Sequence, residues 1–161
     1  MKAITKLVIA MLLVSSYWVA GNTTAGEYYG KQKVVYHINY DDPKAQAGAL
    51  RNIQNHINAV GAENLDLKVV LHGNGLAMLL EPDSLPKLNK FKHANADQNM
   101  TAKVSDLKGQ GVQFQVCNNT VKGRKVNVET DLYDVSSEDI VPSGVAEVAK
   151  LQAEGYAYIK P

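Results

Sequence analysis

Gly111-Val112-Gln113-Phe114-Gln115-Val116-Cys117-Asn118-Asn119-Thr120 is the stretch on which the reading of this chain turns. Val112, Phe114 and Val116 alternate with Gln113 and Gln115, which is the two-residue period of a strand, and the run ends in the chain's one cysteine. The residues that follow, Asn118, Asn119, Thr120 and Gly123, are turn and cap formers. A strand is therefore expected to hand Cys117 to a loop or to the first turn of a helix. Backbone N–H groups at such a helix start favour negative charge, and a partly exposed thiol there ionises near neutral pH.

Outward from this stretch, strand and helix patterns alternate. Lys33 to Tyr40 is rich in β-branched and aromatic residues and is expected as the first strand, ended by Asp41-Asp42-Pro43. Asp42 as cap and Pro43 at the first helical position start a helix with Leu50, Ile53, Ile57 and Val60 on one face, which Gly61 stops. Leu65 to Leu71 is an almost continuous apolar run, the pattern of a strand covered on both faces. His72-Gly73-Asn74-Gly75 ends it, and Leu76 to Leu80 reads as a short helix or an extended apolar segment.

Pro82 and Pro86 punctuate the polar segment from Asp83 to Asn99, which carries Lys87, Lys90, Lys92 and His93 and is assigned as surface structure. Met100, Val104 and Leu107 mark a helix ending at Gly109 or Gly111. Val121 to Asp134 is expected to hold one or two short helical turns separated by Gly123. Asp139 to Pro142 is a short strand, and Ser143 caps a helix whose Val145, Val148, Ala149 and Gln152 share a face before Gly155. Tyr156 to Ile159 is the last strand. The alternation predicts an α/β fold: a single-domain, doubly wound, mainly parallel five-stranded sheet with helices on both faces.

At 161 residues and 45% hydrophobic content, the chain matches one domain with a substantial core, placed at residues 33 to 161 after a lead over residues 26 to 32 that carries the aromatic Tyr28 and Tyr29. Residues 1 to 25 combine Lys2 and Lys6, the apolar run Leu7 to Val14 and a small, polar end, the pattern of a signal peptide cleaved after Ala25 and removed on export to a periplasm. The apolar run is too short for a membrane span, so no stable span is expected after processing. The formal charge of +1 becomes −1 once Lys2 and Lys6 leave, which argues against nucleic acid as a partner. An odd cysteine in an exported protein points to an intermolecular bridge or a free, reactive thiol, against the plainer reading of a buried small hydrophobe.

In open parallel sheets, ligands bind beyond the carboxyl ends of the strands. His37 and Asn39, His72 and Asn74, and Cys117 and Asn118 end three successive strands and are expected on one rim. His37, inside an apolar strand, also reads as a packed core histidine. His72 is followed by Gly73-Asn74-Gly75, which either lets an anion approach the backbone or forms a simple turn. Two histidines and a cysteine can ligate copper or zinc, but no Cys-x-x-Cys or His-x-x-x-His spacing supports it and no metal is assigned. No Gly-x-Ser-x-Gly is present.

The run Gly111 to Thr120, then Val141-Pro142-Ser143-Gly144-Val145-Ala146-Glu147 and the close Leu151-Gln152-Ala153-Glu154-Gly155-Tyr156-Ala157-Tyr158-Ile159-Lys160-Pro161, resembles the DsrE/DsrF-like proteins, particularly their exported relatives. The likeness spans residues 33 to 161 and is most specific in the last fifty. It implies a small α/β sulfurtransferase-like fold that assembles as a homotrimer or homohexamer, and a role in sulfur trafficking in which a cysteine carries sulfane sulfur as a persulfide. Cys117 matches the family's carrier position. The resemblance implies no cofactor, and partners that are sulfur donor and acceptor thiol proteins or small sulfur compounds. Beside Cys117, the expected binding set is Asn118 and Asn119 with their N–H groups, His72 for proton transfer or anion orientation, Gly73, Asn74, Gly75 and His37. Two other readings stand beside it: a non-catalytic small-anion or protein-binding module, and a copper or zinc binder. Familiar carriers of the family work in the cytoplasm, from which export would separate this chain.

Overall fold

Alternating burial along β1 (Gln32–Ile38) sets the two sides of the sheet: Val34, Tyr36 and Ile38 point to one side, Val35 and His37 to the other. The computed structural model describes residues 28–161, so the expected export signal and its cleavage point lie outside the described residues. Asp42 caps α1 (Pro43–Val60) through its carboxylate, which accepts from the Ala45 N–H at 2.7 Å, and Gly61 ends the helix at φ 90°. β2 (Leu65–Leu71), α2 (Gln98–Gly109) and β3 (Gln113–Cys117) follow in the expected order. After β3 come α3 (Asn118–Arg124), α4 (Val128–Asp131), the two-residue β4 (Ile140–Val141), α5 (Gly144–Ala153) and β5 (Ala157–Ile159). The pairings of these five strands are all parallel, in the order β4-β3-β2-β1-β5.

α1 and α2 cover the side of the sheet that holds the larger core, with Leu50, Ile53, Val104 and Leu107 against Tyr36, Val69 and Phe114. Among the described residues, α5 covers the other. β4 and β5 are the opposite edges, so the helix joining them runs across β3, β2 and β1 to reach β5, packing Val148 and Leu151 on Val35 and Val70. This is the expected five-stranded, two-sided α/β architecture. Among the described residues no helix is long and apolar enough to cross a membrane.

Four local expectations are corrected. Asp83 to Asn99 is not merely surface: Ser84, Leu88, Phe91, Asn95 and Ala96 are buried, because a 3-10 helix over Pro82–Lys87 and the chain after it lay Leu88 and Phe91 on the core. Gly123 does not interrupt α3, which runs through it to Arg124. The buried face of α5 is Gly144, Glu147, Val148 and Leu151, while Val145 is 65% exposed; the sheet takes the stripe spaced three and four residues apart from Gly144. Gln32 already belongs to β1, one residue inside the expected lead. In the rest of that lead, Tyr28 and Tyr29 are exposed and meet edge to face at 5.0 Å.

Two buried polar groups pin the long connections. Gln46, fully buried, donates to the carbonyls of Tyr40 and Gly75 and accepts from Asn95. Asp131, also buried, accepts from Ser84, Lys87 and the Asn127 N–H, each at 2.9 Å. Burial raises its pKa, but the Asn127 N–H, Lys87 and Ser84 outweigh it and hold the carboxyl below its ordinary value. A carboxyl more acidic folded than unfolded stabilises the fold above the ordinary carboxylate range and loses that contribution as pH falls below it. The urea midpoint of the wild type should therefore drop more than that of Asp131→Asn between about pH 7 and about pH 3. Equal drops would remove Asp131 from the acid response.

Candidate functional site

β2 and β3 pair Leu71 with Val116, so the next residues, His72 and Cys117, end neighbouring strands on the α5 side, and Cys117 pairs onward with Val141 of β4. His37, on β1, faces the same side, and its ring stacks on His72 with centroids 4.7 Å apart and planes 20° from parallel. Its Nδ1 shares a hydrogen bond with the Tyr158 hydroxyl at 2.8 Å. The β5 register sets Val35 opposite Tyr158, which explains why a residue so distant in sequence reaches this row.

Two helix starts meet at the sulfur. Cys117 is itself the cap residue of α3, and α5 begins at Gly144 directly over it. A Cβ on Gly144 would lie 2.8 Å from the His72 Cβ and 3.1 Å from the Cys117 Cβ, so only glycine lets α5 come this close. The thiol is 4% exposed, and burial raises its pKa. The N–H of Gly144, the hydroxyl of Thr120 and the N–H groups of Thr120 and Asn119 more than offset this, leaving the thiol more acidic than an ordinary cysteine. Thr120 Oγ1 accepts the Gly73 N–H at 2.8 Å, which leaves its own proton for the sulfur.

The histidine pKa values are lowered as well, which for an imidazole favours the neutral form. Burial, then His72 and Lys160, lower the His37 pKa to about 4, and burial with Lys160 lowers that of His72. Both rings are therefore neutral at neutral pH, beside a sulfur that favours its anion.

A model of the DsrE/DsrF-like family matches residues 33–161. The chain belongs to that family. Among solved structures it is similar to MTH1491 from Methanobacterium thermoautotrophicum, a protein of unknown function, at 28% identity and a TM-score of 0.63 over 81% of this chain and 100% of that one. No curated protein matches.

In this DsrE/DsrF-like protein, Cys117, His72, His37 and the Asn119 N–H come together. The Gly73-Asn74-Gly75 loop spends its polar groups on the protein: Gly73 N–H on Thr120, Asn74 Oδ1 on Arg124 at 2.7 Å, and Gly75 N–H on the His72 carbonyl at 2.9 Å. Asn118 opens α3, half-buried, and is not among the groups that lower the thiol pKa. Thr120, Gly144 and Tyr158 are the members that sequence reasoning missed. Ser143-Gly144 read only as a helix start, and nothing local says that this helix starts over Cys117. Among the described residues no group of three or more His, Cys, Asp and Glu is gathered to hold a metal ion.

Proposed function

We propose that this DsrE/DsrF-like protein is a sulfur carrier that accepts and donates sulfane sulfur on Cys117. The carrying observation is that α5 starts against Cys117, itself the cap residue of α3, and that the groups gathered there favour thiolate, the nucleophilic form. The thiolate attacks the outer sulfur of a polysulfide or of thiosulfate. An Sγ–S bond forms, the donor's S–S bond breaks, and its electron pair leaves with the shortened polysulfide or with sulfite. An acceptor thiolate then attacks the outer sulfur of the Cys117 persulfide and releases the Cys117 thiolate, so no outside oxidant is needed. The same N–H groups stabilise the anion before loading and after release. His72 beside Cys117 orients the anionic donor or carries a proton. In this reading the protein works after export to a periplasm, as a homotrimer or homohexamer, with thiol proteins or small sulfur compounds as donor and acceptor.

Intact mass after incubation with polysulfide tests it. The wild type should gain sulfur-sized increments that reductant removes, and Cys117→Ser should gain none. Increments that persist in Cys117→Ser would overturn the carrier. The 4% exposure of Cys117 favours a second reading, a binding module in which the cysteine is packed. Alkylation of the native protein near neutral pH supports the carrier, and labelling only on unfolding supports the module.

A further inference from the structure

Among the described residues, the α5 side of the sheet buries two imidazole nitrogens without a protein partner, Nε2 of His37 and Nε2 of His72. A shielded polar atom left unpaired costs free energy, so a pair of them stacked in one place calls for a ligand group. We propose that His37, His72, Tyr158 and Lys160 form a subsite beside Cys117 that takes an anionic sulfane-sulfur compound together with one proton. The ligand class rests on the carrier reading above; the coupling of anion and proton rests on the geometry of the pair.

Stacking at 4.7 Å makes two imidazolium ions repel, so the pair holds one proton at most. Tyr158 occupies the Nδ1 of His37, which leaves Nε2 as the free atom of that ring. Tyr158 is 43% exposed and Lys160 is exposed, so the subsite has an open edge at β5. The charged and titratable groups around the pair are Cys117 on β3, Tyr158 on β5, Lys160 just after it, and Glu147 on α5, whose carboxylate is taken by Gln115 and Lys150. Burial first and Lys160 second keep the empty pair neutral, and an anion seated on the rings offsets Lys160 and draws a proton onto the pair.

The anion lies one strand away from the sulfur. The His72 and Cys117 Cβ atoms both sit about 3 Å from the point where a Gly144 Cβ would be, so His72 is the ring of the pair that adjoins the cysteine. The bound proton is then at hand for the leaving group when the donor's S–S bond breaks.

Thiosulfate is the probe, since it stays fully ionised through the range where histidine titrates, and Cys117→Ala is the protein, since no transfer follows binding. Calorimetry in two buffers of different ionisation heat should show close to one proton taken up per anion. Affinity should rise by up to about tenfold for each pH unit lowered between about pH 8 and 5. The ring 15N signals of His37 and His72 should together shift toward the imidazolium range by the equivalent of one proton when thiosulfate is added, while those of His56 and His93 stay. His72→Gln should flatten the pH dependence. No thiosulfate binding, an affinity that ignores pH, or ring signals that do not move would each overturn the subsite. Should wild-type Cys117 still load from polysulfide in that case, the subsite alone falls; should loading fail while thiosulfate still binds with a proton, the carrier falls and the subsite stands.

Discussion

Gly144→Ala is expected to raise the Cys117 thiol pKa by one to two units and to slow alkylation of the native protein about tenfold at neutral pH. The added methyl would lie 2.8 Å from the His72 Cβ and 3.1 Å from the Cys117 Cβ, closer than such atoms sit, so the start of α5 must lift away. The Gly144 N–H, foremost among the groups that lower the thiol pKa, then loses the sulfur. A hydrogen bond to a charged group contributes about 1.5–3 kcal/mol, and one pKa unit corresponds to about 1.4 kcal/mol, which sets the size of the shift. A raised pKa shrinks the thiolate fraction at fixed pH, so the reaction slows rather than quickens. Thiolate absorbance followed against pH, with alkylation rates beside it, measures both. An unchanged titration in a folded variant would show that α5 does not hold the anion.

The second large effect is on stability. Gly75→Ala places a Cβ 2.0 Å from the Ile38 carbonyl oxygen and 2.7 Å from its carbon, and neither is a side chain that can swing aside. The 3-10 helix over Gly73–Met78 must separate from the end of β1, disturbing Leu76, Ala77 and Met78, all fully buried. A loss of about 3 kcal/mol and a Tm lower by about 10 °C are expected. A melt within about 2 °C of wild type would mean that this segment shifts at little cost. Gly75 is thus a packing glycine: its lack of a side chain serves the close approach of two backbones.

Much of this was written locally. The Asp42-Pro43 start and Gly61 stop of α1, the unbroken apolar run of β2 and the alternation of β3 each depend on residues a few positions apart, so neighbours in sequence suffice to read them. The same holds for His37, His72 and Cys117 as strand-end residues. Leu88 and Phe91 escaped because their spacing sits in a proline-broken segment with no regular period to carry the signal. The stripe of α5 was misjudged because Val145 and Val148 are equally apolar, and only the sheet beneath decides which of them is covered.

By itself the sequence determined most of the elements, the mainly parallel character of the sheet and the cysteine at a strand's end, because backbone preference and side-chain period act over a few residues. Only the tertiary structure decided what surrounds that cysteine. A helix joining opposite edges of the sheet must cross it, and the crossing sets Gly144 over Cys117. The return of β5 beside β1 brings Tyr158 to His37. Those contacts join residues up to 121 positions apart, and their energy comes from packing and burial that no local stretch contains.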